Sequence, residues 1–200
     1  MKGLGTTGHS GGFLLAFSTP EDRAKGRASG QPLPAAGRLS RAGHSGQGAD
    51  ELILYIDGAS KGNPGRAGAG VWMTDVEGRK VAEMSRYLGQ KTNNEAEYWA
   101  LLLGLREAKR LGRKSIRILT DSELIERQVN GLYRVKNLNL KTLHKAVIQD
   151  LKEFSSFAIE SIPREENREA DRLANQAIQR KIAREKEKGG MGRGTDGRSP

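Results

Sequence analysis

Two short apolar runs, Leu52-Ile-Leu-Tyr-Ile56 and Ser115-Ile-Arg-Ile-Leu-Thr120, are each followed at once by an aspartate, Asp57 and Asp121. Runs this short and this rich in β-branched residues read as buried strands rather than helices. Two acids at the carboxyl ends of two buried strands constrain the fold strongly, because that edge of an α/β sheet is where ligands are held. The rest of the pattern agrees. Residues 67–74 read as a second strand, and Glu77-Gly78 turns the chain into a third at 80–88. Helical periodicity occupies 93–111, a short helix 122–130 stops at Gly131, and a further helix covers 139–154. A fifth strand at 157–162 ends at Pro163, and a last helix runs from 167 to about 184. A hairpin meander followed by strand–helix alternation implies one mixed α/β sheet with helices packed on it.

The flanks differ from this core. Residues 1–50 are rich in Gly, Ser, Ala and Pro without apolar periodicity, and read as a disordered basic arm. Residues 185–200 read as a disordered tail, which leaves 51–184 as one folded domain. Only 36% of the 200 residues are hydrophobic, as expected if part of the chain does not pack. The net charge of +10 favours a polyanionic partner, nucleic acid above all. The chain has no cysteine, which excludes disulfides, thiolate metal sites and cysteine nucleophiles and fits a reducing cytoplasm. No apolar run approaches the roughly 18 residues of a membrane span. No P-loop or dinucleotide fingerprint occurs.

Two further acids sit where folding alone would not put them. Thr92 and Glu95 have capping-box spacing, which gives Glu95 a structural task at the start of the first helix. Glu97 has none: its helical neighbours Ala100, Leu101, Gly104 and Ala108 form the small apolar stripe that should face the sheet. Asp171 shares a face with Ala174, Ile178 and Ile182. A carboxylate on such a stripe is costly to bury unless it is paired or metal-bound. Each acid has a plainer reading, Asp57 and Asp121 as turn residues and Glu97 and Asp171 as partners of buried arginines. Four acids from four elements, without evident basic partners on the apolar faces, favour a shared cation. His144 is the one histidine within 51–184, and it reads as a partly buried helix residue among Leu140, Leu143, Val147 and Ile148. An all-oxygen ligand set suits Mg²⁺ or Mn²⁺.

Two polar segments stand beside these acids. In Gly58-Ala-Ser-Lys-Gly-Asn-Pro-Gly65, glycines and small polar residues, Gly58, Ser60, Lys61 and Asn63 among them, let backbone amides approach a phosphate or sugar hydroxyl. A plain tight turn is the other reading. Lys91-Thr92-Asn93-Asn94 supplies a cation, a hydroxyl and two amides, groups that can read the 2′-OH of RNA.

The motifs Tyr55-Ile-Asp-Gly-Ala-Ser-Lys-Gly-Asn-Pro-Gly65, Thr92-Asn-Asn-Glu-Ala-Glu-Tyr98, Thr120-Asp-Ser122 and Arg164-Glu-Glu-Asn-Arg-Glu-Ala-Asp171 together resemble type 1 ribonuclease H. They follow that family's order across 51–180. The resemblance implies a ribonuclease H-like fold, a five-stranded sheet with three antiparallel strands then two parallel, and helices on both faces. It implies endonucleolytic hydrolysis of the RNA strand of RNA–DNA hybrids by two Mg²⁺ or Mn²⁺ ions on Asp57, Glu97, Asp121 and Asp171. It also implies that Asn63, Thr92, Asn93 and Asn94 contact the hybrid; separately, the chain is expected to be a cytoplasmic monomer. A catalytically silent nucleic-acid-binding module of the same fold is the alternative. The chain departs from many members in two places. Residues 161–167 carry no histidine, and Arg164 is the expected substitute; the link 131–137 is too short for a basic handle, which leaves Lys136, Lys91 and the N-terminal arm to supply affinity.

Overall fold

In the computed structural model, residues 50–190 are described; the expected arm at 1–49 and the end of the tail at 191–200 lie outside them. The strands are β1 (Glu51–Gly62), β2 (Gly65–Thr74), β3 (Lys80–Lys91), β4 (Ser115–Thr120) and β5 (Ser156–Ser161). The helices are α1 (Asn93–Arg110), α2 (Glu123–Val129), α3 (Leu138–Leu151) and α4 (Arg168–Gly190). The sheet order is β3-β2-β1-β4-β5. β1 and β2, and β2 and β3, pair antiparallel; β1 and β4, and β4 and β5, pair parallel.

Alternation along the strands sets the two faces. Leu52, Leu54 and Ile56 of β1 are fully buried, as are Ala69, Val71 and Met73 of β2. A Cβ added to Gly104 of α1 would meet Leu54, Val71 and Ile56, so this face packs against α1. Each such buried Leu, Ile or Val contributes about 1.5–3 kcal/mol. The opposite face is spaced for α4. A Cβ at Gly70 would lie 2.1 Å from the Ala170 carbonyl oxygen, so α4 rests directly on the backbone of β2. Any side chain at Gly70 would push α4, and Asp171 with it, off the sheet. Ser85 Oγ of β3 donates to Leu173 O at 2.7 Å and ties the same helix down.

Several boundaries correct the sequence reading, among them β3, which runs to Lys91 rather than 88, and α3, which ends at Leu151 rather than 154. β1 does not end at Asp57: it continues to Gly62, paired with β2 from Ile53↔Thr74 to Gly62↔Gly65. The expected glycine-rich turn shrinks to Asn63-Pro64, because the antiparallel ladder holds a segment that has no apolar alternation of its own. α4 continues past residue 184 to Gly190. Glu185 there pairs with Lys181 one turn back and with Arg66 of β2 at 2.9 Å, contacts that favour helix where composition suggested a tail. Asp50, read as part of the arm, pairs with Arg113 at 2.8 Å. No described helix is long and apolar enough to cross a membrane.

Candidate active site

The parallel pairing of β1 with β4 ends at Ile56↔Thr120. Asp57 and Asp121 are the next residues on the two strands, so their carboxylates start from neighbouring positions at one edge. α1 brings the third. A Cβ at Gly58 would lie 2.1 Å from the Glu97 backbone nitrogen, so glycine is what lets α1 come this close to β1. The stripe Glu97, Ala100, Leu101, Gly104 and Ala108 is buried throughout, as its spacing implied. Carboxylate oxygens of Asp57, Glu97 and Asp121 lie within 4.8 Å of one another.

The electrostatics of this cluster are unfavourable as it stands. Asp57 and Glu97 are each 5% exposed. Burial, then the Asp121 and Asp171 carboxylates, push Asp57 up to about 7, against the opposing pull of Arg164. Glu97 is raised well above its ordinary value, by burial first and then by Asp57 and Asp121. Glu97 Oε2 is buried with no hydrogen-bond donor. A divalent cation would relieve all three conditions: it neutralises the charges, coordinates the orphan oxygen and accepts an all-oxygen donor set. The residues present therefore fit Mg²⁺ or Mn²⁺.

Asp171 differs. It is not one of the three, although it lines the same cleft of about 200 Å³. It stands at the margin of the buried face formed by Ala170, Leu173, Ala174, Ala177 and Ile178, half-buried rather than within the stripe. It also has an arginine partner, as its plainer reading allowed, although an exposed rather than a buried one: Arg164 donates to its Oδ1 at 2.8 Å. Arg164 lies in a short 3-10 turn, Arg164–Glu166, and reaches Asp171 rather than the adjacent glutamates. Asn175 Nδ2 donates to Asp171 Oδ2 at 3.3 Å.

The segments beside the acids are only partly gathered. Gly58, Ser60, Lys61 and Asn93 line the cleft. Ser60 Oγ donates to Lys91 O at 2.8 Å, and Asn93 N donates to Asn63 Oδ1 at 3.3 Å, so the β1–β2 turn is bound to the start of α1. Thr92 and Glu95 form the expected capping box, with Thr92 N donating to Glu95 Oε2 at 2.9 Å. Asn94 is exposed at the same helix start. Lys136 is not brought there: it is exposed in the link 130–137 and does not line the cleft. His144 is half-buried, with its Nε2 3.1 Å from Gln128 O, as its neighbours implied. Sequence reasoning missed Asn167, which reads as an ordinary helix-start residue. In the structure it is fully buried and its Nδ2 donates to Asp121 Oδ1 at 3.0 Å.

A family profile described as reverse transcriptase-like matches residues 55–177, which include all four acids. The chain belongs to the reverse transcriptase-like family. Within it, the chain is 38% identical over 130 residues to a bifunctional protein of Mycobacterium tuberculosis, covering 64% of this chain and 35% of that one. It is 38% identical over 124 residues to ribonuclease HI of Halobacterium salinarum, covering 62% of each. The chain thus spans about a third of the mycobacterial relative and under two thirds of the halobacterial one. Among solved structures, it matches LC11-RNase H1 in complex with an RNA/DNA hybrid with TM-score 0.63 and 39% identity, over 66% of this chain and 99% of that one. The sheet order and pairing are those of the ribonuclease H-like fold.

Proposed function

We propose that the chain is a divalent-metal-dependent ribonuclease H that hydrolyses the RNA strand of RNA–DNA hybrids and leaves 5′-phosphate and 3′-hydroxyl ends. The observation that carries this reading is the cluster of Asp57, Glu97 and Asp121, within 4.8 Å and with Glu97 Oε2 buried and unpartnered. The relatives called ribonuclease HI and the matched structure holding a hybrid support it.

Asp57, Glu97, Asp121 and Asp171 would hold the ions, Mg²⁺ or Mn²⁺, two with substrate present. When bound, such a pair supplies an activated water and offsets charge on the phosphate and on the leaving 3′-oxygen. The acids bind cations only when deprotonated, so desolvation of Asp57 and Glu97 makes loading a proton-releasing step. Gly58, Ser60 and Asn93 line the cleft with groups that would meet the RNA sugar edge, where a 2′-OH separates RNA from DNA. Asn63, Thr92 and Asn94 adjoin them. Lys61 and Lys91 would neutralise phosphates, with Lys136 and the N-terminal arm as more distant contacts. Arg164 would transfer its guanidinium from Asp171 to the phosphate, which frees Asp171 for a cation and places a permanent positive charge on the reacting group. This assigns the chain to a subgroup without the catalytic histidine and without the basic handle. A gel assay tests the reading: a labelled hybrid, duplex RNA and duplex DNA are each incubated with Mg²⁺, Mn²⁺ or EDTA. Selective cutting of RNA in the hybrid, stopped by EDTA, is expected. Equal cutting of duplex DNA, or full activity in EDTA, would sink the proposal.

A further inference from the structure

The residue at the head of α4 directs its side chain away from its own helix. Asn167 precedes Arg168, and its carbonyl accepts the Asp171 N–H at 3.1 Å, which places it at the helix N-cap. Its backbone, with φ −100° and ψ 18°, closes the preceding 3-10 turn and is not the extended form of Thr92, Ser122 and Asn137, whose side chains cap the other helices. In this structure Asn167 is 0% exposed and its Oδ1 is buried without a partner. The amide nitrogen points the other way, donating to Ile56 O at 2.9 Å and to Asp121 Oδ1 at 3.0 Å. A carbonyl and a carboxylate can only accept, so the chemistry of the partners fixes the orientation of the amide. One side chain thereby joins the last β4-paired residue of β1, the acid that follows β4, and the start of the helix that bears Asp171. The side chain serves that junction rather than its own helix, and its Oδ1 is left buried and unsatisfied.

We propose that Asn167 is a positioning residue for the cation site, holding the Asp121 carboxylate by one oxygen so that the other is presented in a fixed rotation. The inference rests on the metal-dependent reading above. A carboxylate already hydrogen-bonded from behind needs no reordering when a cation arrives, and loss of such outer partners weakens metal binding by about 10- to 100-fold.

The decisive variant is Asn167→Ser, because serine keeps a polar residue that helix starts tolerate while it removes the junction. Serine caps helices as well as asparagine does, yet is too short to donate to both acceptors. Ser85→Ala serves as control: it removes a different tether of α4, from β3, without touching any of the four acids. The full chain is titrated with Mn²⁺ by calorimetry and melted in EDTA. Asn167→Ser is expected to fold and melt near the wild type while binding Mn²⁺ on the order of 10- to 100-fold more weakly. Ser85→Ala is expected to lower the melting temperature without moving Mn²⁺ affinity. Unchanged affinity in folded Asn167→Ser overturns the positioning role alone. Absence of Mn²⁺ binding by the wild type overturns both that role and the metal-dependent reading.

Discussion

At one edge of the sheet, a group of three carboxylates and a single carboxylate–arginine pair meet in opposite electrostatic states. Asp57, Glu97 and Asp121 are packed together, with Asp57 pushed up to about 7 and Glu97 left with an oxygen that nothing satisfies. Asp171, on the neighbouring helix, is half-buried and already holds a guanidinium at 2.8 Å, from an Arg164 whose side chain is 73% exposed. The first group is held at a cost by the surrounding fold, since β1, β4 and α1 are fixed by their own cores and deliver the acids regardless. The second is already paired, and its arginine is open to solvent. On the proposed function, the difference is a division of labour: a packed trio that would hold an external ion, and an adjustable pair that would exchange partners.

Removing one member of the trio gives the largest expected effect. Glu97→Gln is expected to lower turnover on a hybrid by roughly 1000-fold or more while the fold persists, since it deletes a ligand and its developing charge stabilisation. Retained turnover would show that the trio is not the ion site.

Next comes the energetic cost of the trio. Asp57 titrates at about 7 folded against an ordinary 3.8, so the protonated form favours the fold. That contribution is complete below the ordinary value and is lost as pH rises through about 7. Cation-free protein is therefore expected to lose stability between these limits, by up to a few kcal/mol at roughly 1.4 kcal/mol per pH unit. Asp57→Asn is expected to flatten this dependence and to raise the melting temperature at pH 8 in EDTA, while abolishing turnover. Equal pH dependence in Asp57→Asn and wild type, followed by thermal unfolding, would break the contrast between the two groups.

The adjustable pair should behave otherwise. Arg164→Ala is expected to lower turnover by roughly 10- to 1000-fold, the range for losing one electrostatic stabiliser. Its effect on stability should stay below about 1 kcal/mol, because the pair is open to solvent. At saturating cation, where Asp57 and Glu97 are held deprotonated, the wild-type rate should rise with pH into the alkaline range without the inflection a histidine would impose. Wild-type turnover in Arg164→Ala would reduce the pair to a surface contact.

The smallest effect belongs to Glu95, two residues before Glu97. Hydrogen bonds from Thr92 hold its carboxylate below the ordinary range despite partial burial. Glu95→Gln is expected to keep most of the activity, because Gln also completes a capping box. A loss matching Glu97→Gln in the same rate assay would show that the two glutamates have exchanged roles.

What the sequence settled by itself was whatever a local period can encode. The β-branched run of β4 appears with the bounds read for it, 115–120, and the strand-end acids appear at its edge. Glu97 was separable from Glu95 because one occupies a helix's buried stripe and the other its first turn, a distinction of spacing alone. Tertiary structure decided what depends on partners far along the chain. β1 extends to Gly62 only because β2 supplies the ladder, and α4 reaches Gly190 with Arg66 of β2 bound to Glu185. Asn167 meets Ile56 across 111 positions, a contact no period records. Asp171 looked unpartnered because its arginine is seven residues away through a 3-10 turn, where helical spacing does not apply. Periodicity fixes which way a side chain points from its own element; only packing fixes what it then meets.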